Sequence, residues 1–166
     1  GLIHVILGGN MSSRLFNEVR EKKGLAYEIG THVKKLKDTG VFFVHAGIDN
    51  KNLMQTSRLI FKELDRIKKE RVSSGELRRA KDFLIGQSEM ALDDSLEHML
   101  WMGESLMNLG EIQTKEEMRR QIERVSAGDI LRVASEIIDW KKLNFAAVGP
   151  QSQNAESEIK NIISGL

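Results

Sequence analysis

The chain has 166 residues, of which 40% are hydrophobic and 30% charged, and its net charge is +1 at pH 7. This composition is typical of a folded globular domain and excludes disordered and collagen-like chains. A charge so close to zero predicts no nucleic-acid partner, because such proteins usually carry an excess of lysine and arginine. The absence of cysteine excludes disulfides, thiolate metal ligands and a cysteine nucleophile.

The sequence predicts no membrane partner and a single domain. Its longest apolar stretches, such as residues 2–7 and 41–44, are far shorter than the ~20 residues that span a bilayer. The first residues lack the basic region that opens a signal peptide, so the compartment stays open, with the cytoplasm slightly favoured. With one proline, Pro150, and no glycine- or serine-rich linker, residues 1–166 are expected to form one domain.

Two short segments are expected at the start of the chain. Residues 2–7 are apolar and fit either a strand or the end of a buried helix, since periodicity alone does not separate the two. After the break at Gly8-Gly9, Ser12 or Ser13 can cap a helix. Gly24 is predicted to end that helix, as a glycine at this position commonly does.

A β-hairpin is predicted next. Residues 25–36 alternate between apolar and polar, residues 37–40 are turn-like, and residues 41–48 form the return strand. The continuous apolar run of the return strand predicts that both of its faces are covered. The side chains expected to share one side of the first strand are Tyr27, Ile29, Thr31 and Val33.

Residues 50–139 are helical in pattern. A long helix begins near Leu53, Ser73 starts a second, and residues 96–109 form a third. Two further helices are predicted from capping boxes, in which a serine or threonine is followed three residues later by an acidic residue. These pairs are Thr114 with Glu117 and Ser126 with Asp129.

A last strand is predicted at residues 143–148, followed by a short amphipathic helix around Ile159 and Ile162. A few strands flanking many helices predict an α+β fold, with a small, mostly antiparallel sheet packed against several helices. Only three strands are readable, so a first strand is expected to be missing before Gly1.

The histidines do not predict a metal site. None of the four has the His-x-x-x-His or His-x-x-Glu-His spacing that places two ligands on one helical face. Glu97 and His98 are adjacent and point about 100° apart on a helix, so they are interpreted as ordinary surface residues. The histidines are His4, His32, His45 and His98.

Three further motifs are interpreted structurally. Asp38-Thr39-Gly40 is the tripeptide of aspartic proteases, but here it follows a lysine-rich segment in a mostly helical chain, which favours a turn. Gly8-Gly9 lacks the other residues of a phosphate-binding loop and favours tight packing at a helix–helix corner. Methionines in and beside the third long helix are expected in the core: Met90, Met99, Met102 and Met107.

Residues 8–27 are more specific. The stretch Gly-Gly-Asn-Met-Ser-Ser-Arg-Leu-Phe-Asn-Glu-Val-Arg-Glu-Lys-Lys-Gly-Leu-Ala-Tyr, followed by Asp38-Thr39-Gly40-Val41-Phe42, closely resembles the insulinase/pitrilysin/mitochondrial processing peptidase family of zinc metallopeptidases. The likeness is to the C-terminal, non-zinc half of the two-domain members, and it extends over nearly the whole chain. The resemblance implies an N-terminally truncated fragment whose Gly1 falls inside a helix.

The resemblance also implies roles for two residues. In that family Arg20 and Tyr27 would reach across a chamber to a peptide bound at the other half's zinc. A phenol or guanidinium donor can stabilise the oxyanion of peptide hydrolysis or hold substrate carbonyls. By the same resemblance, Ser12, Ser13 and Arg14 position the helix that carries Arg20.

The expected function is therefore the substrate-binding, oxyanion-stabilising half of a zinc-dependent metalloendopeptidase. The assembled enzyme would cleave unfolded peptides or presequences. This half would pair with a zinc-bearing homologous half, on the same polypeptide or another, and would be inactive alone. Zinc would be bound by that absent half, with no metal in this chain. One alternative is a non-catalytic structural subunit of a processing-peptidase-like assembly. A dimeric aspartic protease that uses Asp38 is a third.

Overall fold

A computed structural model describes residues 1–36, 38–150, 152 and 154–165. Its two-stranded antiparallel sheet packs against helices, which confirms the α+β class. The strands are β1 (Ala26–Lys35) and β2 (Gly40–Ile48). The α-helices are α1 (Leu2–Leu7), α2 (Leu53–Lys69), α3 (Ser74–Ala91), α4 (Ser95–Leu109), α5 (Lys115–Arg124), α6 (Ala127–Ile137) and α7 (Ala155–Ser164). A π-helical segment spans Phe16–Glu21, and short 3-10 turns span Asn50–Asn52 and Trp140–Lys142.

The first apolar segment forms a buried helix, α1, and not a strand. At its end the Gly8 carbonyl accepts a hydrogen bond from the Thr31 N–H of β1, at 3.3 Å. A Cβ added to Gly8 would lie 2.7 Å from the Thr31 nitrogen, so no larger residue fits without displacing backbone. The predicted close packing at Gly8 is thus confirmed, although its neighbour is a strand and not a second helix.

β1 and β2 form the predicted hairpin. Thr31 pairs with Val44, and the Leu36 N–H donates to the Thr39 carbonyl at 2.8 Å near the turn. Within the predicted turn, Lys37 lies outside the described residues.

The expectation that both faces of β2 are covered is wrong. Phe42 and Val44 pack against the core, whereas Val41 and Phe43 on the opposite face are exposed. The helices cover one side of the two-stranded sheet, so the apolar run of β2 is half-buried and not enclosed.

The core lies between the inner face of the hairpin and helices α1, α2, α3 and α6. Five of its side chains have no exposed surface: Leu7 of α1, Leu15 and Val19 around the start of the π-helical segment, Ile67 of α2 and Ala134 of α6. Burial of Leu15 and Val19 therefore anchors the segment that leads into β1.

The helix starts follow the predicted signals. Both capping boxes are present, at Thr114 for α5 and at Ser126 for α6. The Ser73 hydroxyl accepts a hydrogen bond from the Glu76 N–H in the first turn of α3. These signals are reliable because each links residues within one helical turn. Among the described residues, no helix is both long and apolar enough to cross a bilayer.

The predicted strand at residues 143–148 is wrong. This segment pairs with no strand, since β1 and β2 pair only with each other within the described residues. The Phe145 ring meets Phe61 edge-on at 6.3 Å, whereas Val148 is fully exposed. A segment with strand propensity becomes a strand only when another strand pairs with it, and the described part of the chain offers none beside this segment. The expectation of a further strand before Gly1 stays a prediction.

The expected core role of the α4 methionines is also wrong. Met99 and Met107 are 56% and 84% exposed, and Met90 before the helix is similarly open. None of the described α4 side chains belongs to the core cluster. The apolar pattern of α4 identifies an apolar face of the helix, but it does not show whether another element covers that face.

Candidate functional site

Arg20 lies on the last turn of the π-helical segment. The backbone hydrogen bonds of this segment span five residues, as in the 2.9 Å bond from the Lys22 N–H to the Asn17 carbonyl. Arg20 is exposed, and its guanidinium carbon lies 4.8 Å from the centre of the Phe16 ring. This cation–π contact orients the side chain and leaves its N–H groups available.

A left-handed turn at Gly24 connects this segment to β1. Gly24 has φ +60°, which favours glycine. Its N–H donates to the Arg20 carbonyl at 2.9 Å, and the Leu25 N–H donates to the Val19 carbonyl at 3.0 Å. Both bonds span one residue more than in a Schellman motif, because the preceding turn is π-helical. The predicted helix end at Gly24 is confirmed.

Tyr27 lies in a β-bulge at the start of β1. Ala26 pairs with Ile48 and Glu28 pairs with Gly47, so Tyr27 is the additional residue of the bulged strand. The side chain is 75% exposed.

The bulge corrects the prediction that Tyr27 shares one side of the strand with Ile29 and Thr31. Ile29 and Thr31 are buried, whereas Tyr27 and Glu28 are exposed. Val33 is also exposed, although it pairs with the core-facing Phe42 beyond the bulge. An additional residue shifts the alternation by one position and turns Tyr27 outward.

The donor groups of Arg20 and Tyr27 are free. Within the described residues, neither side chain makes a hydrogen bond or an ion pair, so the phenol hydroxyl and the guanidinium N–H groups remain available to a ligand. Arg20 lies at the end of the π-helical segment and Tyr27 at the start of β1, with the Gly24 turn between them. Their joint action on a substrate stays a prediction.

Arg14 fixes the position of the π-helical segment. Its Nε and Nη2 donate to the two carboxylate oxygens of Glu76 on α3, at 2.7 and 2.8 Å. Its Nη1 lies 3.9 Å from the carboxylate of Glu63, which is buried on α2. The hydrogen bond from Arg14, more than any other interaction, lowers the pKa of Glu76 below its usual value. This two-helix attachment supports the positioning role expected for Arg14.

Three of the four histidines meet at the hairpin, which the sequence spacing did not predict. The His32 ring centre lies 4.8 Å from that of His45 and 6.3 Å from that of His4. The His4 Nδ1 lies 2.8 Å from the Thr31 hydroxyl, and the His45 Nε2 lies 3.2 Å from the Glu28 carboxylate. They come from α1, β1 and β2, so only the pairing of these elements could reveal the cluster.

The histidine cluster does not form a metal centre. No group of three or more histidine, aspartate or glutamate side chains in the described part of the chain has the arrangement to hold a metal ion. One ring nitrogen of His4 already faces Thr31, and one ring nitrogen of His45 already faces Glu28. Zinc does not fit the described residues.

The remaining sequence motifs have ordinary positions. Asp38 is exposed near the turn of the hairpin, as the turn interpretation predicts. Glu97 is exposed on α4, and the His98 ring lies 5.9 Å from that of Trp101.

The fold and the segment from Arg14 to Tyr27 match a known peptidase domain. Residues 1–84 match the family model described as the peptidase M16 inactive domain. The chain therefore belongs to the peptidase M16 family of zinc proteases, as its inactive, C-terminal domain.

One curated relative is named a zinc protease, and two solved structures share the fold. An uncharacterised zinc protease of Streptomyces coelicolor is 30% identical over 164 residues, which cover 99% of this chain and 36% of that protein. The crystal structure of a conserved protein from Enterococcus faecalis has a TM-score of 0.70 at 32% identity, covering 80% of this chain and 31% of that one. The M16 inactive domain from Pseudomonas fluorescens has a TM-score of 0.72 at 24% identity, covering 83% and 33%.

This chain thus spans about a third of the length of the relatives that it matches.

Proposed function

We propose that this domain is the substrate-binding half of a zinc metalloendopeptidase that cleaves unfolded peptides or presequences. The observation that carries the proposal is the pair of unengaged donors, Arg20 and Tyr27, displayed on either side of the Gly24 turn. The family supplies the reaction class, and the geometry supports the roles of the two side chains.

Tyr27 would act on the reacting carbonyl. A phenol hydroxyl can donate a hydrogen bond to the oxyanion that develops during hydrolysis. The bulge holds the backbone on both sides of Tyr27 in the sheet, which directs the side chain away from the core.

Arg20 would hold the substrate backbone. Its guanidinium presents several N–H donors to peptide carbonyls. The substrate would lie extended, adding to a sheet edge by backbone hydrogen bonds. Within the described residues the outer edge of β2 carries no strand, which is the requirement for such pairing.

The zinc would belong to a homologous half, on the same polypeptide or on another. When bound there, zinc supplies the activation of water that peptide hydrolysis needs. This chain would contribute binding, orientation and oxyanion stabilisation, and would be inactive alone.

The test combines this chain with a zinc-bearing half of the family and records cleavage of a quenched-fluorescent peptide. We expect Tyr27→Phe to lower kcat by about 10²–10³, the typical loss for one oxyanion donor. We expect Arg20→Lys to lower kcat/KM on the order of 10–100-fold, since it replaces several charge-assisted bonds with a single donor group.

Lys23→Gln is the matched control, because it removes an exposed cation from the same turn without touching either donor. Unchanged cleavage in both Tyr27→Phe and Arg20→Lys would contradict the proposal. A stable complex that cleaves nothing, with a zinc half that is active beside its own inactive domain, would assign the structural-subunit alternative instead.

A further inference from the structure

Acidic residues are concentrated in one part of this nearly neutral chain. Residues 82–114 contain seven carboxylates and neither lysine nor arginine, although the net charge of the whole chain is +1. This range includes the end of α3 and all of α4. The carboxylates are Asp82, Glu89, Asp93, Asp94, Glu97, Glu104 and Glu111. A partner for this region would meet a negative field at physiological pH.

Helix α4 presents an exposed apolar stripe inside this acidic region. At about 100° per residue, its exposed apolar side chains fall on one continuous arc. Glu97 and Glu104 lie next to each other along one border of the arc. The side chains of the stripe are Leu96, Met99, Leu100, Leu106 and Met107, each about half exposed or more.

The border with the two glutamates opens into a cleft of about 260 Å³ between the end of α3, α4 and α5. Leu100 and Trp101 form part of its apolar wall, and Glu97 and Glu104 lie at the same wall. Neither glutamate makes an ion pair within the described residues, unlike Glu89, which pairs with Arg119 at 3.2 Å. The cleft therefore combines apolar surface with unneutralised negative charge.

We propose that the α4 surface, comprising the stripe and this cleft, binds a cationic amphipathic helix of a partner protein. Apolar side chains on one face of such a helix would cover the stripe, and lysine or arginine at its edge would meet Glu97 and Glu104. Methionine suits this role, because its flexible thioether adapts to different apolar side chains.

Charge complementarity favours this occupant over a second copy of the chain. Two α4 surfaces facing each other would bring their unpaired glutamates together, and like charges in an interface oppose association. A cationic helix would instead bury these glutamates opposite lysine or arginine side chains.

The test measures binding of a designed 18-residue peptide that places leucines on one helical face and lysines on the other. Trp101 reports binding by fluorescence in a Trp140→Phe background, and calorimetry of the wild-type chain checks the affinity. We expect binding that Glu97→Gln/Glu104→Gln weakens at least tenfold at low salt, with a smaller difference at high salt. Leu100→Gln, at an exposed position, should weaken binding at both salt concentrations.

The matched control is Glu156→Gln/Glu158→Gln on α7, which removes the same charge elsewhere and should leave the affinity unchanged. Equal binding of a scrambled peptide, or of a peptide with glutamate in place of lysine, would overturn the proposal. So would self-association of the chain that Leu100→Gln abolishes, or displacement of the peptide by a zinc-bearing half. Since no cleavage is measured, this result is independent of the peptidase proposal.

Discussion

Arg14 is the residue on which the position of the candidate site depends most. Its guanidinium neutralises Glu76 through two hydrogen bonds and faces the buried Glu63. We expect Arg14→Met to lower the free energy of unfolding by about 3 kcal/mol or more, because it removes both hydrogen bonds to the half-buried Glu76 carboxylate. Urea unfolding at pH 7, followed by circular dichroism, measures this loss.

Arg132→Met on α6 provides the comparison for Arg14. Arg132 also pairs with a carboxylate, Glu136, at 3.0 Å, but both side chains are largely exposed. Such pairs typically contribute less than about 1 kcal/mol. Equal losses in the two variants would contradict the anchoring role of Arg14.

At the scale of the elements, replacing each of three glycines with alanine tests a different physical effect. Gly8→Ala should destabilise by about 1–3 kcal/mol, because its Cβ would meet the Thr31 nitrogen at 2.7 Å. Gly24→Ala should cost about 1 kcal/mol from backbone strain alone, since its φ is +60° and its Cβ would meet nothing within 4 Å.

Gly86→Ala is the third member of this series and has the opposite expected sign. Gly86 lies inside α3 with open space around its Cβ position, so alanine should stabilise by about 0.5–1 kcal/mol. Thermal and urea unfolding of the three variants give the signs directly. A loss at Gly86 as large as that at Gly8 would mean that the open space is not present.

For the whole molecule, the first expected pH effect comes from His4. Burial is the main reason that the pKa of His4 lies below its usual 6.5. The unfolded chain therefore binds this proton more readily, so stability is complete above pH 6.5 and declines as the pH falls below it. His4→Asn should flatten this decline in the urea midpoint, whereas His98→Asn on the surface of α4 should not.

Glu76 adds a second decline at lower pH. Its pKa is lowered chiefly by the hydrogen bond from Arg14, so its contribution is present above pH 4.5 and is lost as the pH falls through the folded-state pKa. Urea midpoints between pH 8 and 3 should show that Glu76→Gln has a shallower slope below pH 4.5 than the wild-type chain. An unchanged slope would contradict the coupling to Arg14.

The parts of the fold that were predictable depend on residues close together in sequence. The capping boxes at Thr114 and Ser126, the glycine turn at Gly24 and the hairpin pairing all involve partners within one turn or one hairpin. Arg20 and Tyr27 were identified as candidates by resemblance, and the structure adds their exposure and their free donors.

The unpredicted features depend on which elements meet. Residues 143–148 have strand propensity, but no strand among the described residues lies beside them. The apolar pattern of α4 likewise does not reveal that its stripe faces solvent. The histidine cluster requires α1 and the hairpin to be in contact. The bulge at Tyr27 is a register shift, which hydrophobic alternation cannot indicate because it assumes an unbroken period of two.

The π-helical turn and the β-bulge share a consequence for sequence change near Arg20 and Tyr27. Each amounts to a one-residue insertion, one in a helix and one in a strand. Deleting a residue from the helix would rotate Arg20 by about 100° about the helix axis relative to its anchors. Deleting Ala26 from the strand would leave Tyr27 two positions before Ile29, where simple alternation places it on the buried side. The outward display of both side chains is therefore a matter of chain length, and single-residue deletions here would remove it while leaving both residue types in the sequence.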